Sequence, residues 1–524
     1  MAMRAAGRQR TVLVGAVLGL AALAAVGTTA TESLAQEKVL RVGATQMPPT
    51  RGNVYGGTGA PSSVLWAATF DWLTTLDDKS VTRPSIAESW TLTESKNWRF
   101  KIRPNTTFWN GRPVTAQHVA DGLNYLLTED GRKTNVSGHF RIAGVTGAKV
   151  IDPMTVEVNT GEPSPLIPAY MAVLPVIDMQ HFNDVGIEGF ATQPMASGPF
   201  QMDGWTTNGA RTKAFKAYWR GAPRIDAIQF TEIPESSSRV NALVSKQIDV
   251  DNAAQPDSFA AIKAAGGKIF FGPTARIQGI SFVTAPMADN RGDKSQFRDK
   301  RLRQAANYAV NKQAMLDSIF EGQGAINSQA GTVNTYGYNP NIKPYPYDPA
   351  KARALMAEAG YPSGFDFVLE ARTDDPVAKL MYEAMVEDLN KVGMRAKLIS
   401  IPFAQQLKNF GAGTWDGFGF GIGYNVTPTM DVSATFRLGS CLKTPPVSVY
   451  YCDKEETELV LATNREFDPA KRLAILHRLL EVNHENAPVL MLLEVPSMMS
   501  YGPRVQNFTT LNENIDYFAM DIVN

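Results

Sequence analysis

The stretch from Ser197 to Val250 restricts the fold most, because it leaves room for little except short strands joined by tight turns. Ser197-Gly198-Pro199-Phe200 is a turn entering a strand that ends at Trp205. Asn208-Gly209 is a strong reversal signal, since both residues tolerate the positive φ of a two-residue hairpin. Residues 211–217 alternate in polarity and read as the returning strand. A second turn, Tyr218-Trp219-Arg220-Gly221-Ala222-Pro223, carries two large aromatics, and residues 225–233 alternate again. Ser236 to Ser238 offer caps for a helix through Lys246, and Ile248-Asp249-Val250 closes the unit as another strand. Periodicity alone makes this an α+β core hairpin.

The chain opens with the pattern of an exported protein. Arg4, Arg8 and Arg10 precede an apolar run at residues 12–26, and Ser33-Leu34-Ala35 supplies the small residues of a cleavage site. A run of that length is too short to span a bilayer comfortably. No Cys follows it and no adjacent Arg pair precedes it, so the expectation is a cleaved leader at residues 1–35 and no lipid anchor. An exported chain without an anchor is retained only in a closed compartment, which points to the periplasm. Residues 1–35 carry three Arg and one Glu, so the remaining 489 residues hold 48 basic against 50 acidic side chains. That balance argues against nucleic acid and against an anionic membrane surface as partners. Cys441 and Cys452 are the only cysteines. In an oxidising compartment an even pair at this spacing reads as a disulfide, and no nearby His or C-x-x-C pattern favours a metal or redox pair.

Further strings organise the rest. AESW at 87–90, then WRFKIRPNTTFWNGRPVTAQHV at 98–119, is a strand, a turn and a helix capped by Thr115. Residues 149–158 form a hairpin through Asp152-Pro153, and residues 161–196 read as irregular and Pro-rich. GISFVT at 279–284 is a strand, and DKRLRQAANYAVNKQAMLDSIF at 299–320 is two short helices. Three helices start on Asp-Pro, at Asp348, Asp375 and Asp468, where Asp accepts free amides and Pro presets φ. Strands at 365–371 and 394–401 around the second of these predict an α/β unit, and PVLMLLEV at 488–495 is a buried strand.

The order of these strings resembles the extracellular solute-binding proteins of family 5: the GPF turn, YW-x-G-x-P, ID-x-I-x-F, the Arg-Val-x-Ala-Leu helix and IDV, then the AESW and DKRLRQAANYAV segments. The resemblance covers nearly all of the chain after residue 35. It implies an α/β, two-lobed periplasmic-binding-protein fold of the class with an extra domain, with mixed sheets and a hinged cleft. The expected division is a first lobe from 36–72, 196–283 and 491–524, an extra α+β domain at 73–195, and a second lobe at 284–490. The implied function is a monomeric receptor that captures a peptide or another small solute and hands it to the inner-membrane permease subunits of an ABC importer. Two competing expectations are a secreted hydrolase using the same cleft and a chaperone-like peptide holder.

Enzyme signatures are missing. The chain has no G-x-S-x-G, no H-E-x-x-H and no P-loop, and its S-x-x-K at Ser440 spans Cys441 and runs into Pro445-Pro446. His118, His139, His181, His477 and His484 are scattered and read as surface positions, so no catalytic residue, metal or cofactor is expected. The resemblance places Arg372 where dipeptide receptors hold the ligand carboxylate, a role suited to a guanidinium fork. Trp415 and Tyr424 frame a strand with Gly417, Gly419, Gly421 and Gly423 and are expected either to stack on a ligand or, for Trp415, to pack in a core. Met47 and Tyr336 stand for two further wall loops. Peptide-binding members carry an Asp after the Gly-rich strand to pair with the peptide ammonium. Here Asn425 or Thr427 takes that place, leaving Asp431 as a substitute or a ligand without a free amine, such as an oligosaccharide or an opine-like conjugate.

Overall fold

Two large sheets and one small sheet carry the chain. The computed structural model describes residues 37–57, 63–94, 96–284, 294–373, 375–412, 415, 417–421, 426–437, 441, 450–511 and 514–523. The expected leader at 1–35 and the residues Tyr424 and Asn425 lie outside the described residues. Lys38–Asn524 cluster into one compact unit.

The first sheet has seven strands and grows from the stretch that opened the reading. Phe200–Thr206 and Gly209–Ala214 form the hairpin around Asn208, and Ala227–Glu232 pairs with the second of them. Val39–Ala44 then adds in parallel, followed by Val250–Asp251, Ser497–Tyr501 and Lys268–Gly272. Alternation decides which side chains enter the core: Leu40, Val42, Ile228 and Phe230 are fully buried. The helix after this unit is Ser236–Val244, and its N-cap is Glu235, not one of the serines.

The second sheet has six strands: Ala325–Ile326, Val489–Glu494, Ile277–Phe282, Gly419–Phe420, Phe365–Ala371 and Met394–Ser400, in that order. Phe365–Ala371 and Met394–Ser400 are parallel, joined through the helix Pro376–Val392, as the Asp-Pro start at Asp375 predicted. Every residue of Val489–Glu494 is buried, which fits a central strand covered on both faces. Ile277–Phe282 and Val489–Glu494 pair with each other inside this sheet. The chain therefore changes sheet at residues 272–277 and 494–497, a few residues from the boundaries expected at 283 and 491.

The small sheet, Ala87–Leu92, Trp98–Ile102, Thr155–Thr160 and Val145–Asp152, closes over the helix Ala116–Leu127 with its own core of Phe100, Ile102, Val119, Leu123 and Val156. Residues 161–196 are more regular than their prolines implied. They contain the helix Met179–Thr192, capped by Asp178 through the His181 amide and kinked at Gly186, where φ is 69°. A positive φ there is cheap for glycine and lets two short helical pieces run on as one.

Candidate functional site

Register fixes which strand ends share an edge. In the first sheet Val39–Ala44, Ala227–Glu232 and Val250–Asp251 are parallel, so their carboxyl ends share one edge. Ser497 pairs with Gly272 beyond that edge, and both crossings leave from there. In the second sheet Ile277 pairs with Glu494, past the carboxyl ends of Gly419–Phe420 and Phe365–Ala371. Both sheets thus turn the carboxyl ends of their parallel strands toward the crossings, the crevice where open α/β sheets take ligands.

Met47 lies on the first edge, half-buried, three residues beyond Val39–Ala44. Its amide donates to Glu232 Oε2 at 2.8 Å, and the Thr45 amide donates to Asn252 Oδ1 at 3.0 Å. The second edge begins at Arg372, half-buried, directly after Phe365–Ala371. Asp375 Oδ1 accepts from the Val377 and Ala378 amides at 3.0 and 3.2 Å and starts the helix, while its Oδ2 lies 3.5 Å from Arg276 Nη2. Arg276, Asp375 and Arg372 all act on the phenol of Tyr382, which burial pushes up and to which the Gln278 amide donates. The wall is tight at Gly421: a Cβ there would sit 2.5 Å from Ala371 Cβ and 2.7 Å from Tyr382 Oη. Only glycine fits without moving those neighbours.

The structure brings Tyr336 and Asp431 together. Tyr336 donates its amide to Met430 O at 2.8 Å and accepts from the Val432 amide at 3.1 Å, placing it beside Asp431. Asp431 is not open to a ligand amine. It is 2 % exposed, takes Arg472 Nη1 on Oδ2 at 2.6 Å and Nη2 on Oδ1 at 3.1 Å, and accepts Ser433 Oγ at 2.6 Å. This correction has a plain cause, since a buried carboxylate that stays ionised needs a cation beside it, and Arg472 arrives on the helix that starts at Asp468-Pro469. Trp415 takes the packing role of its two expectations: it is 1 % exposed and clusters with Val283, Ile401, Tyr450 and Tyr451. Cys441 and Cys452 are joined in a disulfide. His477 and His484 are half-buried, not at the surface. The His484 ring stacks on Tyr345 at 4.5 Å and its Nδ1 is 2.9 Å from Ser328 O. Among the described residues no group of three or more His, Cys, Asp or Glu side chains has an arrangement that would hold a metal.

Sequence reasoning missed Arg276, Gln278, Tyr382, Arg472 and Glu494. Glu494 ends Val489–Glu494 at the second crossing and is 4 % exposed, and burial raises its carboxyl to about 7. Only its place in the PVLMLLEV string, an acid closing an apolar run, hinted at it. A cavity of about 320 Å³ lies elsewhere, around Asp71, whose carboxylate accepts from Tyr218 Oη at 2.8 Å, Ser197 Oγ at 3.0 Å and Trp219 Nε1 at 3.2 Å. None of the expected ligand residues lines it.

Comparison with known proteins agrees with this geometry. The family model "Bacterial extracellular solute-binding proteins, family 5 Middle" matches residues 82–442. The dipeptide-binding protein of Escherichia coli K12 is 25% identical over 438 residues, covering 78% of this chain and 80% of that protein. A glutathione-binding protein of Escherichia coli O1:K1 / APEC is 22% identical over 497 residues, covering 90% of this chain and 92% of its own. The structure of HbpA2 from Haemophilus parasuis superposes with a TM-score of 0.79 at 20% identity, covering 93% of this chain and all of that one. The fold is that of the periplasmic binding proteins, and with a matched segment spanning well over half its length, the chain belongs to the bacterial extracellular solute-binding proteins of family 5.

Proposed function

We propose that this chain is a periplasmic receptor that captures a peptide or peptide-like solute between its two large sheets and delivers it to the permease of an ABC importer. The observation that carries the reading is the pair of facing carboxyl edges, joined by only two described crossings at residues 272–277 and 494–497. Two sheets linked so sparsely can hinge about the crossings and enclose a small molecule. The relatives named for a dipeptide and for glutathione support a peptide-like ligand. In this reading the leader at 1–35 directs export, the segments flanking each sheet act as lobes, and the small-sheet unit is an additional domain. Arg372 holds a ligand carboxylate, with Arg276 and Asp375 setting its orientation. Met47 and Tyr336 form walls, and Tyr424 and Asn425 are further ligand contacts of this reading. With Asp431 engaged by Arg472, no amine-anchoring role is assigned to it. The receptor releases its ligand unaltered, so no catalytic group is needed.

Mass spectrometry of the solute released from purified protein on denaturation tests this directly. A peptide-like compound is expected, together with thermal shifts on adding dipeptides or their N-acetylated forms. Turnover of those compounds, abolished by one cleft substitution, would replace the receptor with an enzyme. Arg372→Ala should weaken carboxylate ligands by roughly tenfold to a hundredfold, the range for losing a charge-assisted hydrogen bond.

A further inference from the structure

We propose that residues 332–336 couple both crossings to the candidate ligand wall, with Glu494 as the positioning residue of that coupling. The proposal rests on the receptor reading above and concerns how its wall is held. Four attachments converge on these five residues. Thr332 Oγ1 donates to Thr274 O at 2.7 Å, which ties the loop to the first crossing. The Val333 amide donates to both carboxylate oxygens of Glu494 at 3.2 Å each, which ties it to the second. Ser80 Oγ donates to Asn334 O, bringing in the unit that carries the small sheet. Tyr336 then exchanges backbone hydrogen bonds with Met430 and Val432 on either side of Asp431, which Arg472 grips.

Tyr336 packs against the cluster of Val432 and Leu476, whereas the loop's links to the two crossings are polar. The Val333 side chain is 52 % exposed, although its amide is fixed. A change in angle at either crossing displaces Thr274 or Glu494, and the loop must follow or lose a hydrogen bond. The displacement passes through Tyr336, the wall residue of the receptor reading, to residues 430–433.

Glu494 is the adjustable attachment. Its strand neighbours Ile277 and Ala325 are apolar. The Asn327 side chain also donates to it, and Tyr338 is the titratable group of the loop that feels its charge. Arg276, next to Ile277, sends its guanidinium to Asp375. Burial raises the Glu494 carboxyl to about 7, so it changes charge near neutrality. The ionised form accepts the Val333 amide more strongly than the protonated form does.

Hydrogen–deuterium exchange of the full chain without added solute tests this, read on peptides spanning 327–336 and 426–433 and corrected for intrinsic pH dependence. In the wild type both segments should exchange several-fold more slowly at pH 8 than at pH 6. Glu494→Gln should lose that pH dependence and exchange about tenfold faster in both segments at pH 8, the change expected for one weakened buried hydrogen bond. Thr332→Val should loosen both segments while retaining the pH dependence, and it decides the matter if Glu494→Gln folds poorly. Retained pH dependence in Glu494→Gln overturns the role of Glu494. Loosening confined to 327–336 in both variants overturns the coupling. Neither readout needs a ligand, so failure to find a solute would count against the receptor reading and leave this result standing.

Discussion

Asp431 and Arg472 are joined by a double hydrogen bond at 2.6 and 3.1 Å, with both side chains almost excluded from water. The pair is 41 residues apart in sequence, and no local pattern at either position announces it. Asp431 stood as a substitute anchor because Asn425 or Thr427 takes the place where the resemblance expects an acid, but nearness in sequence does not say which cation arrives by tertiary folding. Removing one partner leaves the other charge buried and uncompensated, which costs about 3–5 kcal/mol. Arg472→Met should therefore lower stability by that amount in chemical or thermal unfolding, and Asp431→Asn should do nearly as much harm. A loss near zero in both variants would show that the carboxylate finds water or another cation. The same residue scale explains Trp415, whose aromatic ring serves a core or a ligand equally well until burial is known.

Helix starts were legible because their signal is local. Each Asp-Pro pair begins a helix: Asp348 accepts from the Lys351 amide, Asp375 from Val377 and Ala378, and Asp468 from Lys471. Strand pairing at Asn208-Gly209 was legible for the same reason, since the turn fixes the register. The helix Met179–Thr192 was not, because Pro163, Pro165, Pro168, Pro175 and Pro194 surround a segment that is itself free of proline. Strand Ile277–Phe282 was legible as a strand, but its partner Val489–Glu494 was not, since a short apolar string does not name what it pairs with. The cap argument is quantitative. Asp468 Oδ1 accepts the Lys471 amide at 2.9 Å at the head of the helix that carries Arg472. Asp468→Ala should cost about 1 kcal/mol, and Asp468→Asn, which still caps, only a fraction of that. In a chain of this size the alanine variant should melt roughly 1–2 °C lower, with the asparagine variant between it and wild type. Equal melting of all three proteins would remove the cap from the account.

At the scale of the whole molecule, buried titratable groups set the response to pH, foremost the carboxylic acids with large upward shifts. Burial raises Asp71 to about 6 and both Glu456 and Glu494 to about 7, against ordinary values of 3.8 and 4.5. A carboxyl raised in the folded state binds its proton more tightly there than in the unfolded chain. Its favourable contribution is complete below the unfolded value and is lost as pH rises through the folded one. In global unfolding, where each carboxyl reaches water, all three therefore favour mild acidity and penalise pH 8, whereas local release of the Val333 amide leaves Glu494 buried and follows the strength of that hydrogen bond. Three histidines act in the opposite direction: burial lowers His118, His139 and His484, so the unfolded chain takes up their protons first and stability falls as pH drops below the ordinary imidazole value of 6.5. Burial also lowers the Lys312 ammonium to about 7, which opposes the carboxyls over the same range, but two carboxyls near 7 outweigh one ammonium, so melting temperature should rise as pH falls from about 8 toward about 6 and decline once the histidines take up protons. Glu456 offers the cleanest single test, because Tyr451, Asn483 and Asn486 donate to it and no cation forms an ion pair with it among the described residues. Glu456→Gln should add about 2–3 kcal/mol at pH 8 and almost nothing at pH 5, flattening the profile. A melting temperature highest at pH 8 in the wild type, or a glutamine variant that gains equally at both pH values, would show that these carboxyls reach water and ionise as ordinary acids.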